Sequence, residues 1–154
     1  MVRATFDKHL KELQDDMLTM GSMVEKAIER SLEALKKRDL TLARQVIDED
    51  TKIDLKRFEI EEKGIELIAT QQPVAKDLRV IIVVLNIISE MERMADYAEG
   101  IARIAIHLGD EPPLKPLIDI PRMATKAVSM LRQSLTAFIE QDLEMAKQIS
   151  AEDD

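Results

Sequence analysis

The sequence of 154 residues contains no cysteine and no tryptophan, and it has only four glycines, five prolines and 3% aromatic residues. Without cysteine, the chain can form neither a disulfide nor a thiolate metal site, which fits a reducing compartment. So few turn-forming and aromatic residues exclude β-sandwiches, barrels and propellers, which need frequent turns. The glycines are scattered singly, which excludes a glycine-rich nucleotide loop. We therefore expect an all-α protein.

Positive charge is also scarce, since 22 Lys and Arg residues face 30 Asp and Glu residues, for a net charge of −8. A broad nucleic-acid interface needs a basic surface, so we expect no nucleic-acid partner. The longest apolar run, residues 80–85 followed by Ile87 and Ile88, is much shorter than the roughly 20 residues of a membrane span. The N-terminus lacks the apolar segment of a signal peptide. These features predict a cytoplasmic protein.

Hydrophobic periodicity predicts five helices. We expect them at residues 7–37, 40–70, 73–108 and 122–140, with the last beginning at 143. Asp39 and Asp142 are the expected N-caps of the second and fifth helices, and Pro73 is expected in the first turn of the third. The third helix should bury a seam with spacings of four and three residues, made of Val80, Val84, Ile87, Met91, Met94, Ala98, Ile101, Ala105 and Leu108.

An internal repeat relates two parts of the chain at an offset of 103 residues. Nine of the twenty positions from 31 to 50 are identical in 134–153, including the pairs Asp39/Asp142 and Asp50/Asp153. Such agreement in register indicates duplication. The Pro-rich residues 110–121 are the candidate boundary between the two parts, and the second copy stops at the start of its own second helix.

Two pairs of acidic residues are candidates for a metal site. Asp50 and Asp54 are four residues apart, as are Glu92 and Asp96, so each pair lies on one helix face. In an antiparallel hairpin that turns near Gln72, the two pairs lie at one level to within about 3 Å. Four carboxylates at one level suit hard cations. Because the second pair lies off the apolar seam, such a site would lie at the surface of the bundle. The alternative is an ordinary solvated acidic face.

The two histidines offer little for catalysis. His9 and His107 stand alone on their helices, and neither belongs to the Glu-x-x-His motif that di-iron helical bundles use. Isolated titratable residues of this kind are usually part of the scaffold. We therefore identify no catalytic residue.

Several motifs together resemble the PhoU family of phosphate-uptake regulators. They are Asp50-Thr-Lys-Ile-Asp54, Ile60-Glu61-Glu62, Gln71-Gln-Pro-Val-Ala-Lys-Asp-Leu-Arg79 and Glu92-Arg-Met-Ala-Asp96-Tyr-Ala. The resemblance implies tandem three-helix bundles without catalytic activity. The first bundle would lie at 1–109, a Pro-rich linker at 110–121 and the start of a second bundle, incomplete in this chain, at 122–154. It also implies multinuclear clusters of iron, zinc, manganese or magnesium on (Asp/Glu)-x-x-x-Asp motifs. These motifs fall on Asp50, Asp54, Glu92 and Asp96, and Asp153 would begin the second copy.

The same resemblance implies a role and its partners. The protein would lower phosphate uptake and the phosphate-starvation response through contacts with the ATPase of a phosphate ABC transporter and a membrane sensor histidine kinase. A homodimer is also expected. Two alternatives stay open at this point. One is a metal-dependent hydrolase or oxidase whose carboxylates hold two ions, and the other is a helical interaction module whose acidic pairs bind no metal.

Overall fold

The computed structural model describes residues 2–154, which form five helices and no strand. The helices are α1 (Val2–Lys37), α2 (Leu40–Gln71), α3 (Ala75–Leu108), α4 (Asp119–Glu140) and α5 (Leu143–Glu152). The all-α prediction is confirmed. None of the helices in this part of the chain is long and apolar enough to span a membrane.

The three long helices α1, α2 and α3 pack against one another as a bundle. The core draws on all three, with Met17, Ile60 and Met91 among its fully buried side chains. Helix α4 packs on α1, and its Val128 and Leu135 belong to the same core. The core therefore continues from the bundle into α4, and the division into two domains stays a prediction.

The buried face of α3 differs in part from the predicted seam. Every second predicted position, Val84, Met91, Ala98 and Ala105, is buried as expected. The alternating buried positions are Ile81, Ile88, Ala95 and Ala102, whereas the predicted Val80, Ile87, Met94 and Ile101 are only half-buried and Leu108 is exposed. The reason is that α3 packs against both α1 and α2, so its apolar stripe is broader than a two-helix seam.

Several helix ends also differ from the predictions. Helix α2 ends at Gln71, and its C-cap Gln72 has a left-handed backbone with φ of 46° and ψ of 55°. Helix α3 begins only at Ala75. Pro73 therefore lies in the connection, and its predicted place in the first turn of α3 is wrong. Helix α4 begins at Asp119 rather than 122, because Pro121 lies in the first turn, where its missing N–H costs no hydrogen bond. Helix α1 begins five residues earlier than predicted.

Both predicted aspartate N-caps are confirmed. The Asp39 side chain accepts a hydrogen bond from the backbone N–H of Leu42 at 3.0 Å, and Asp142 accepts one from Met145 at 3.0 Å. Each cap follows a residue in the left-handed region, with φ of 55° at position 38 and 56° at position 141. The repeat seen in the sequence is thus reproduced in the backbone.

Candidate metal centre

Three carboxylates meet in the groove between α2 and α3. One ligand oxygen from each of Asp50, Asp96 and Glu99 lies within 4.8 Å of the other two. Asp50 comes from α2 and the other two from α3. Because the two helices fold back on each other at the turn near Gln72, residues at similar distances from that turn face one another. We call these three residues the carboxylate cluster.

Asp50 is the buried member of the cluster. Only 8% of its surface is exposed, and its Oδ1 accepts no hydrogen bond from the described residues. Its pKa is raised from 3.8 to about 7, first by burial, then by pairing with Glu99 and by the negative charges of Asp54, Glu99 and Asp96. Burial and like charges both disfavour an ionised carboxyl. A cation in the groove would relieve both effects.

Asp54 lies one helical turn after Asp50, at the exposed edge of the groove. Its pKa is raised by partial burial and then by the charges of Asp96 and Glu99, while Arg57 acts in the opposite direction. Asp96 is exposed. The groove therefore combines one buried carboxyl with solvent-accessible carboxylates that repel one another.

Arginines pair with two carboxylates along the groove, the cluster member Glu99 and Glu92. Arg103 donates from Nε at 3.0 Å and from Nη2 at 2.5 Å to Oε1 of Glu99, which holds the pKa of that carboxyl below its usual range. Arg57 Nε lies 3.6 Å from Glu92 Oε2. The pKa of Glu92 is nevertheless raised, because partial burial outweighs the opposing charge of Arg57.

The five predicted metal ligands lie in different surroundings. The structure brings Asp50 and Asp96 together and places Asp54 beside them. Glu92 pairs with Arg57 instead and does not join the carboxylate cluster. Asp153 is exposed at the end of α5, far along the chain from these residues.

Glu99 is a cluster member that the sequence reasoning missed. It follows Asp96 by three residues, a spacing that places both side chains on one helix face. A search for carboxylates four residues apart overlooks this pair. A search of the same face at spacings of three and four would have found it.

The chemistry of the cluster fits a hard cation. Its ligands are all carboxylate oxygens, which suit Mg²⁺, Ca²⁺ or Mn²⁺ and discriminate weakly among them. The Asp50 Oδ1 that lacks a hydrogen-bond donor offers a buried oxygen for such an ion. Neither His9 nor His107 belongs to the group, so the donor set contains no nitrogen.

Comparisons with known proteins agree with the sequence motifs. The model of the PhoU domain matches residues 17–105 and 120–154. Over 147 residues the chain is 42% identical to the phosphate-specific transport system accessory protein PhoU homolog of Aquifex aeolicus, covering 96% of this chain and 66% of that protein. It is 30% identical over 152 residues to the accessory protein PhoU of Escherichia coli K12, covering 99% of this chain and 63% of that protein. The chain thus spans about two thirds of the length of these curated relatives.

Solved structures show the same fold. The crystal structure of the phosphate transport system regulatory protein PhoU from Streptococcus pneumoniae matches with a TM-score of 0.88 and 30% identity, covering 96% of this chain and 70% of that one. The crystal structure of PhoU from Pseudomonas aeruginosa matches with a TM-score of 0.86 and 30% identity, covering 93% of this chain and 69% of that one. The chain belongs to the PhoU family.

Proposed function

We propose that this protein is a non-enzymatic regulator of phosphate transport that binds metal cations in the groove between α2 and α3. Membership of the PhoU family supports the first half of this proposal, because the relatives are named as accessory proteins of the phosphate-specific transport system. The buried Oδ1 of Asp50, which has no hydrogen-bond donor among the described residues, carries the second half. A buried carboxylate is costly unless a donor or a cation compensates it.

In this proposal Asp50, Asp96 and Glu99 hold the cation, with Asp54 at the exposed edge. A bound ion supplies positive charge that offsets the repulsion among these carboxylates and ties α2 to α3. Because Glu92 pairs with Arg57, it becomes a further ligand only when Arg57 releases it. We propose that this happens when more than one ion binds. Asp153 lacks a facing carboxylate helix in the described part of the chain, so we place the centre in the first copy of the repeat.

The regulatory role acts through partners. We propose that the protein lowers phosphate uptake and the phosphate-starvation response by binding the ATPase of a phosphate ABC transporter and the associated sensor histidine kinase, as a homodimer on the cytoplasmic side. The names of the relatives support an association with phosphate transport. The net charge of −8 favours basic surfaces on those partners.

A metal-dependent hydrolase or oxidase is the less favoured function. Such an enzyme needs a general base in addition to the groups that hold its ions. The residues that meet in the groove, Asp50, Asp96 and Glu99, are all carboxylates that would bind the cation themselves. The geometry therefore favours a binding site over a reaction centre.

A cation titration tests the site. Chelator-treated wild-type protein and the double variant Asp54→Ala/Asp96→Ala are titrated with Mn²⁺ by calorimetry, with Asp153→Ala as the matched control. We expect the double variant to lose about 100-fold in affinity, as is typical when ligand or supporting groups are removed, and the control to match the wild type. Equal uptake by all three proteins would remove the site as placed here.

A pull-down from detergent-solubilised membranes tests the partners. The protein is immobilised and washed at two salt concentrations, because contacts between charged surfaces weaken as salt screens them. We expect a phosphate-transporter ATPase or its sensor kinase to be retained at low salt. Recovery of neither would contradict the regulatory role for this chain, and a test for hydrolytic turnover would follow.

A further inference from the structure

One member of the carboxylate cluster, Glu99, pairs with an arginine of the same helix. Arg103 follows Glu99 by one turn of α3, and both Nε and Nη2 of its guanidinium donate to the same oxygen, Oε1 of Glu99. The Glu99 side chain is only 20% exposed, whereas that of Arg103 is 64% exposed. The guanidinium therefore reaches into the groove from the solvent side.

Other arginines near the groove are placed differently. Arg57 lies 3.6 Å from Glu92, and its Nε forms no hydrogen bond with the described residues. Arg93 lies 3.7 Å from Glu90, with both side chains largely exposed. Neither contacts a member of the carboxylate cluster. Arg93 has the same charge as Arg103, lies on the same helix and is close in sequence to Asp96, which makes it a suitable control.

Arg103 and a metal cation would compete for the carboxylate of Glu99. An oxygen that accepts two hydrogen bonds from a charged donor has less electron density to offer an ion. A guanidinium and a cation that share one carboxylate also repel each other, most strongly where the groove is partly buried. A cation can therefore use Glu99 fully only when Arg103 withdraws.

We propose that Arg103 is a built-in competitor of the cation. It neutralises Glu99 in the absence of a cation, and when a cation binds it releases Glu99 to the ion and moves into solvent. Arg103 thus sets the cation affinity of the site, and it changes the charge exposed on α3 from an ion pair to a free guanidinium. This inference rests on the proposed cation site, and Arg103 acts on that site through Glu99 as a positioning residue.

Calorimetric Mn²⁺ titrations of three variants test this role. Arg103→Gln removes the competing charge and should bind Mn²⁺ about tenfold more tightly than the wild type, the scale expected from a charge-assisted hydrogen bond. Arg93→Gln removes an equal charge outside the groove and should change the affinity less than about twofold. Arg103→Lys keeps the charge but not the two hydrogen bonds to one oxygen, so its affinity should lie between those of the wild type and Arg103→Gln. Circular dichroism confirms that each variant is folded.

An NMR measurement follows the pairing directly. In the wild-type protein the Nε–Hε signal of Arg103 should shift towards that of a solvated arginine as Mg²⁺ is added, while the Arg93 signal stays in place. If the wild type binds cations but Arg103→Gln binds them equally or less tightly, Arg103 does not compete and the cation site stands. If neither the wild type nor Arg103→Gln binds a cation, both the cation site and the competition by Arg103 are contradicted.

Discussion

The two copies of the repeated segment fold into the same local structure. Residues 31–50 and 134–153 share nine identical positions, and both copies break the helix at a left-handed residue followed by a capping aspartate. The backbone N–H of Asp39 donates to the Ala34 carbonyl at 3.0 Å, and that of Asp142 to Ala137 at 2.9 Å. Because the bonds of this turn are all local, its sequence is sufficient to form it.

The surroundings of the two copies differ. Ala43 is completely buried, whereas its counterpart Ala146 is exposed, and Asp50 is 8% exposed, whereas Asp153 is freely exposed. Helix α3 covers α2 in the first copy, and no third helix from residues 2–154 covers α5. The same aspartate is therefore a buried carboxyl with a raised pKa in one copy and an ordinary surface residue in the other. The properties of the groove come from tertiary packing.

The second copy is held in place by the first. Helix α4 packs on α1, where Gly21 allows a close approach: a Cβ atom at Gly21 would lie 2.5 Å from Cδ1 of Leu135. Leu135 belongs to the core that α1, α2 and α3 also form. The first copy completes its own bundle, and the second depends on a neighbour.

The largest expected effect comes from Leu135→Ala, which tests that dependence. Removing a buried leucine should cost about 3 kcal/mol. Hydrogen exchange should show faster opening of α4 and α5, while the amides of α1–α3 keep their protection. The exposed Leu143 is the matched control, and Leu143→Ala should leave both profiles unchanged. Equal loss of protection throughout the chain would show that the two copies unfold as one unit.

A smaller effect is expected in the pH dependence of the free energy of unfolding, to which Asp50 and Asp153 should contribute differently. The pKa of Asp50 is raised to about 7 in the folded state, so the folded protein binds that proton more tightly than the unfolded chain. The resulting stability is complete below the unfolded pKa of 3.8 and is lost as pH rises through the folded value. In EDTA, the free energy of unfolding should fall by about 2 kcal/mol between about pH 5 and 8.

Denaturant titrations at several pH values measure this slope. The raised pKa values of Asp54 and Glu92 act in the same direction, while groups with lowered pKa values, such as Asp16, lose their contribution only below this range. Asp50→Asn should flatten the slope and stabilise the metal-free protein near neutral pH, and Asp153→Asn should keep the wild-type slope. A slope that persists in Asp50→Asn would mean that another group binds the proton.

Much of the fold could be predicted from the sequence because its determinants are local. Helix periodicity and aspartate caps act within a few residues, so the five helices and both capped turns follow from the pattern. The predicted seam of α3 is confirmed only at every second position. Ile81 and Ile88 are buried as well because α3 packs against a second helix, which a two-helix pattern does not include. Pro73 was expected in a first turn but lies in a connection, and Pro121 was expected in the linker but lies in a first turn. Proline suits both places.

The candidate site could be predicted only in outline. Counting residues from the turn placed the pair Asp50 and Asp54 level with the pair Glu92 and Asp96, but spacing alone does not reveal which carboxyl is buried. Glu92 and Glu99 flank Asp96 on the same face, and the arginines that pair with them decide their roles. Arg57 draws Glu92 away, and this contact between two helices leaves no trace in the sequence of α3.

The smallest expected effect comes from the caps, where the two copies are most alike. Asp39→Ala and Asp142→Ala each remove one hydrogen bond of 3.0 Å to a helix N-terminus, a loss of about 1 kcal/mol. Asp39→Ala should lower the global free energy of unfolding by that amount, because α2 belongs to the bundle. Asp142→Ala should instead speed hydrogen exchange in α5 alone, since α5 packs only against α4 within the described residues. A global loss in both variants would show that α5 folds cooperatively with the bundle despite its exposed face.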